Sequence, residues 1–174
     1  MFGIEFGAGL LSGSTALLAD SLDMLGDSFV YGFSLLVLHR SLVWRARAAL
    51  AKGAIMAAFA VGVLLEAGFS LHGGMPPVAP AMAAVGTLAL VANAFCFSLL
   101  WRHRADDINL RSTWLCSRND LIANGGVLAA AGLVAWFDSL WPDLIVGIAI
   151  AILFLRTATT VLRESLAELG RARS

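Results

Sequence analysis

Apolar residues fill most of the chain and are interrupted at only a few points by short polar, glycine- or proline-bearing stretches. The interruptions divide it into six apolar segments. The first is Met1–Leu11, closed by Ser12, Gly13 and Ser14. The second runs over Thr15–Leu38, the third over Ala49–Leu71 and the fourth over Ala79–Trp101. The fifth, Asp107–Trp136, is polar in its first half, and the sixth is Leu144–Leu162. A hydrocarbon core about 30 Å thick takes roughly 20 helical residues to cross, a length the last five segments reach or approach. The pattern predicts an all-α polytopic membrane protein of six transmembrane helices, the first short. Met1–Leu11 reads as the end of a longer helix whose front half precedes this sequence. Its Gly3 and Gly7 predict a small-residue ridge suited to close helix packing. The expected organisation is one transmembrane domain over 1–163 and a short cytoplasmic tail over 164–174. That tail is too small to bury a core of its own, so function is expected to reside in the membrane part.

The polar connections are asymmetric. Arg40, Arg45 and Arg47 fall between the second and third segments and Lys52 at the start of the third; Arg102 and Arg104 fall between the fourth and fifth and Arg111 at the start of the fifth. Arg163, Arg171 and Arg173 follow the sixth. The alternate connections, 12–14, 73–80 and 137–143, hold no Lys or Arg. By the positive-inside rule both termini are cytoplasmic, and an even number of crossings is required. Trp101, Trp136 and Trp141 stand near segment ends, where indoles favour the membrane interface. Pro76, Pro77 and Pro80 mark an outer turn.

Composition sharpens this picture. Apolar residues make up 59% of the chain and charged residues 14%, against about half and a quarter in soluble domains. The excess is spread along the chain, so a soluble domain with a single anchor is excluded. The formal net charge is zero and basic runs are absent, which argues against a nucleic-acid partner. A secretory signal is not expected, because Met1–Leu11 carries Glu5 and lacks a basic front. Abundant Ala and Arg with one Lys point to a high-GC bacterial source, and the expected location is the bacterial inner membrane.

The acidic residues within the second segment are the main chemical signal, because an ionisable group at bilayer depth is costly and marks a candidate site. Asp23 and Asp27 lie four apart and so share a helix face, about 6 Å apart at Cβ; Asp20 lies close to that face. Nothing basic lies in the segment, which leaves a metal ion or protons to balance the charge. In the fifth segment Cys116 and Asp120 repeat the four-residue step, and Asn124 extends the stripe. Asp23, Asp27, Cys116 and Asp120 would supply four ligands, the number zinc favours; a thiolate also suits softer ions such as cadmium. Asp20 and Asn124 are secondary candidates. For Asp20, a purely local hydrogen-bonding role near the helix start is equally open. Arg118 is expected to point away from Asp120, since residues two apart do not share a face. Glu66 is open to two readings, a proton relay or an outer-end residue reaching water. His39, His72 and His103 sit at segment ends and read as interfacial. Cys96 and Asn93 read as packing and interhelical hydrogen bonding.

Gly13-Ser14, then Ala16-Leu17-Leu18-Ala19-Asp20, then Asp23 and Asp27, resembles the second-helix signature of the cation diffusion facilitators. Those proteins are proton-coupled exporters of zinc and related divalent metals. In them a His or Asp, and an Asp four later, occupy the positions of Asp23 and Asp27; on the fifth helix a His precedes an Asp by four, matching Cys116 and Asp120. The resemblance covers the six-helix membrane domain. It implies divalent-metal efflux by alternating access, with zinc or cadmium as substrate, protons as coupling ion and no catalytic cofactor. It departs in having Cys116 for the usual His, no His-rich run between helices four and five, and no cytosolic domain after helix six. A homodimer contacting through membrane helices, in the lipid bilayer, is the expected assembly. The runner-up reading is a metal-binding membrane sensor that does not transport. A membrane phosphotransferase of the CDP-alcohol type also uses aspartates four apart, but its upstream Asp-Gly is missing and Ala19 stands where it has Gly. The chain is therefore not expected to be an enzyme.

Overall fold

A computed structural model describes residues 1–37, 42–103 and 108–171. The described residues form six helices: α1 (Phe2–Ser12), α2 (Thr15–Val37), α3 (Leu42–Ser70), α4 (Ala79–His103), α5 (Ile108–Phe137) and α6 (Trp141–Arg171). The predicted all-α architecture is what forms. Four of the helices contain spans apolar and long enough to cross a membrane: Ala46–Ser70, Ala79–Leu99, Arg118–Phe137 and Trp141–Arg171. The chain is an integral membrane protein. α2, at 23 residues, has the length to cross but carries its three aspartates within that length. α1, at 11 residues, is short, as its sequence indicates.

Helix ends follow backbone chemistry more than hydropathy. α1 stops where Gly13 turns left-handed, at φ 68°, a conformation that suits glycine. Pro80 and Pro142 lie in the first turns of α4 and α6, where a missing N–H costs nothing. Two boundaries depart from expectation. α3 starts at Leu42 rather than Ala49, because the Trp44–Ala48 stretch, though too polar for hydrocarbon, consists mostly of good helix formers. For the same reason α6 continues through Arg163-Glu164-Ser165-Leu166-Ala167-Glu168 to Arg171. Up to Arg171 the expected tail is a rigid extension of the last membrane helix, which at 31 residues is about 46 Å long.

α3 packs most extensively on α6, and α4 on α5; α2 lies between the two pairs and touches α1, α3, α5 and α6. One apolar cluster joins α2 to α3 and α6 through Leu18, Leu22, Met56, Ala60, Phe154 and Ala158. A second joins α2 to α4 and α5 through Ala16, Leu17, Met82, Val127 and Ala130. The start of α2 is consequently buried from every side, whereas Leu11, Phe69, Phe95, Trp136 and Ile145 face outward, as suits lipid. Gly147 lets α6 approach this point: a Cβ there would lie 2.7 Å from the Thr15 backbone. The glycine ridge of α1 is not where its spacing suggests. Nothing stands within 4 Å of a Cβ at Gly3 or Gly7, and it is Gly9 that meets Leu18 on α2. The periodicity of Gly3 and Gly7 identifies a face, but not which face the neighbouring helix takes.

Candidate metal site

The turn between α1 and α2 sets the depth of everything that follows. Ser14 and Thr15 open α2 with backbone N–H groups that have no partner within the helix. Asp143, in the first turn of α6, supplies one. Its Oδ2 accepts from the Thr15 N–H at 2.7 Å, and its Oδ1 accepts from the Ser14 hydroxyl at 2.6 Å and the Ala16 N–H at 3.2 Å. The Ser14 hydroxyl oxygen in turn accepts from the Leu17 N–H at 3.1 Å. A buried carboxylate from one helix thus caps another, where the helix dipole favours negative charge. Thr15 also donates to Glu66 of α3 at 2.7 Å, and Ser70 donates to the other Glu66 oxygen at 2.9 Å. The Val78 N–H donates to the Ser12 carbonyl at 3.0 Å. These bonds tie α1, α2, α3, α6 and the α3–α4 connection together at the Gly13 end. Glu66 is therefore held by hydroxyls rather than simply reaching for water. Asp143 was not identifiable as important from its place in a polar connection; Pro142 before it, marking a helix start, was the available signal.

Further along α2, two contacts with α5 set an antiparallel register. Asn124 donates through Nδ2 to Asp20 Oδ2 at 2.6 Å, and its own Oδ1 accepts from Asn93 Nδ2 of α4 at 2.9 Å. This chain crosses three helices through fully buried Asp20 and Asn124. Both secondary candidates thus bond to one another, and Asn93 makes the interhelical hydrogen bond its type suggests. One turn further, the carboxyls of Asp23 and Asp120 stand within hydrogen-bonding reach of each other across the same helix pair. The side chains of Asp27 and Cys116 lie outside the described ones. Among the described residues no three His, Cys, Asp or Glu side chains converge as a metal-holding group. The pair Asp23 and Asp120 is accordingly half of the four-ligand set expected.

Asp23 also borders a cavity of about 650 Å³ between α5 and α6, whose wall is mostly apolar, with Ile122, Val146, Ile150 and Leu153. Asn119, Arg156 and Thr157 contribute its polar part. Arg156, in the middle of α6, is an ionisable group inside an apolar run, and that contrast is the sequence signal that marks it. Arg118 and Cys96 are exposed, and His72, also exposed, contacts the Gly68 carbonyl at 3.0 Å at the end of α3. His39 lies outside the described residues, as does the His103 side chain.

The chain matches the family model described as the cation efflux transmembrane domain over residues 1–169. It is 29% identical to the zinc transporter ZitB of Escherichia coli (strain K12) over 95% of its own length and 57% of that protein's. It is 33% identical to the zinc transporter ZitB of Pectobacterium atrosepticum, over 92% of this chain and 54% of the relative. A cadmium, cobalt and zinc/H(+)-K(+) antiporter of Bacillus subtilis is 27% identical over 94% of this chain and 57% of its own. The chain thus spans little more than half the length of these curated relatives. The helical architecture, the acidic pair facing across α2 and α5, and the match over nearly every residue place the chain in the cation efflux family, as its transmembrane domain.

Proposed function

We propose that this chain carries divalent metal cations, zinc and cadmium foremost, out of the cytoplasm in exchange for protons by alternating access. The observation that carries the reading is the juxtaposition of Asp23 and Asp120, from two antiparallel helices. Two carboxyl groups facing each other in a low-dielectric setting call for a cation or a shared proton between them. Exchange of one for the other is the chemistry of a metal–proton antiporter, because ligands lose protons when they bind metal. The names of the relatives, zinc transporter and cadmium, cobalt and zinc antiporter, agree with that substrate class.

The Asp20–Asn124 and Asp23–Asp120 contacts fix a register in which residue numbers on α2 and α5 sum to nearly the same value. Carried one turn onward, it sets backbone positions 27 and 116 at the same level. Asp27 and Cys116 therefore complete the proposed ligand set with Asp23 and Asp120. In the proposed topology both termini are cytoplasmic and the Gly13 end faces outward, the membrane being a bacterial inner membrane. Its hydrogen-bonded closure then seals the outer side, while Asp23 borders the groove between α5 and α6. A second copy, meeting the first through membrane helices, is the proposed partner.

The test is metal flux into proteoliposomes under an imposed pH gradient. Asp23→Ala and Asp120→Ala are each expected to lower zinc and cadmium flux by at least tenfold, the loss expected when a charged ligand is removed from a buried site. Flux equal to the parent protein in both variants would end the proposal. Metal binding without flux in the parent would identify a sensor instead.

A further inference from the structure

Glu5 is fully buried, and neither of its carboxyl oxygens has a hydrogen-bond partner. Among the described side chains it is the one buried group in this condition. It lies on the inward face of α1 with Gly9 and Ser12, flanked by Phe6, which joins the α2–α3–α6 cluster, and Ala8, which joins the α2–α4–α5 cluster. The helical rise places Glu5 about 12 Å along α1 from the Gly13–Ser14 turn, with Asp20 about 9 Å and Asp23 about 14 Å along α2. Glu5 thus stands level with the aspartates, and its charge interacts with both.

The groups around it define what it can be. α2 presents Asp20 and Asp23, with Asp120 of α5 beyond them. α4 holds no charged residue before Arg102, and its polar contribution here is Asn93, already spent on Asn124. The Asn124 amide is spent on Asp20. On its own helix no other charged side chain is present. A bare carboxylate buried without a donor costs several kcal/mol, and facing like charges raises that cost. Among the described side chains Glu5 makes no hydrogen bond with a proposed metal ligand and forms no three-donor group with one.

We propose that Glu5 holds a proton while the metal site is empty, and gives it up when a divalent cation arrives beside Asp23 and Asp120. The inference rests on the transport reading above and adds a coupling residue on a third helix, outside the ligand set. The step balances simply. The O–H bond of the Glu5 acid breaks, its electron pair stays on the carboxylate, and the proton leaves to the aqueous side the site then faces. The incoming 2+ charge stabilises the new anion; departure of the metal restores the acid. A proton exchanged this way adds to those displaced from the ligands themselves.

Two measurements on the full chain in detergent test this. Cadmium is titrated in a weakly buffered solution with a pH indicator, and protons released per bound ion are counted for the parent and for Glu5→Gln. The variant is expected to bind cadmium and to release about one proton fewer. Equal proton release would overturn the proposal. So would loss of cadmium binding by a monodisperse variant, which would make Glu5 a ligand. Metal-induced infrared difference spectra of the parent, with and without carboxyl-labelled glutamate, need no variant. A carboxylic-acid C=O band that shifts with the label, vanishes on adding cadmium, and persists in Glu66→Gln is expected; absence of any label-sensitive acid band would refute the idea. Unchanged cadmium binding in Asp23→Ala would count against the transport reading alone, so the two failures are distinguishable.

Discussion

At the scale of single residues, the polar groups of α2 divide by what they touch. Asp20 is consumed by Asn124, which is held by Asn93, so this turn acts as a three-helix fastening. Asp23, one turn on, meets another carboxyl and borders a cavity, and so remains available for a cation. The four-residue steps made this stripe readable from sequence, since i and i+4 share a face whatever the fold. They could not separate fastening from site, because that depends on whether an amide or an acid stands opposite on α5. Cys116 bears on selectivity. A thiolate prefers soft ions, and imidazole suits zinc. Cys116→His is expected to raise the zinc-to-cadmium flux ratio severalfold in proteoliposomes loaded with each metal in turn. An unchanged ratio would remove Cys116 from the ligand set.

At the scale of elements, the start of α2 depends on a residue more than a hundred positions away. Asp143 satisfies the Thr15 and Ala16 N–H groups and the Ser14 hydroxyl, and Gly147, one turn later, lets α6 come close enough for it to do so. Such a cap made by a distant helix leaves no trace in the local sequence of α2, which shows only Ser14 and Thr15 as ordinary start signals. Helix lengths were legible only between their apolar limits; the extensions at Leu42 and Arg171 follow backbone propensity, which hydropathy does not measure. Asp143→Ala would strand three buried donors. It is expected to destabilise the protein by about 2 kcal/mol, seen as a lower denaturation midpoint in detergent. Asp143→Asn, which keeps one acceptor oxygen, is expected to fall between. Equal midpoints for all three proteins would show that water replaces the cap at no cost.

At the scale of the whole molecule, the closed Gly13 end and the cavity at Asp23 have meaning for transport only once sidedness is known. The Lys- and Arg-rich connections alternate with connections that have neither. In the proposed topology the Gly13 turn, the α3–α4 connection and the α5–α6 connection lie on one side, and Glu168 near the end of α6 on the other. In that proposed topology the positive-inside rule makes the second side the cytoplasmic one. Met75 and Glu168 are both exposed, so each can carry a reporter without disturbing the core. In a background with Cys96 and Cys116 changed to Ser, Met75→Cys is expected to react with a membrane-impermeant maleimide added to spheroplasts. Glu168→Cys is expected to react only after the membrane is broken. The reverse pattern would put the hydrogen-bonded closure on the cytoplasmic side. The same bonds among Ser14, Thr15, Glu66 and Asp143 would then seal the face from which metal is loaded, and the proposed direction of exchange would have to be inverted.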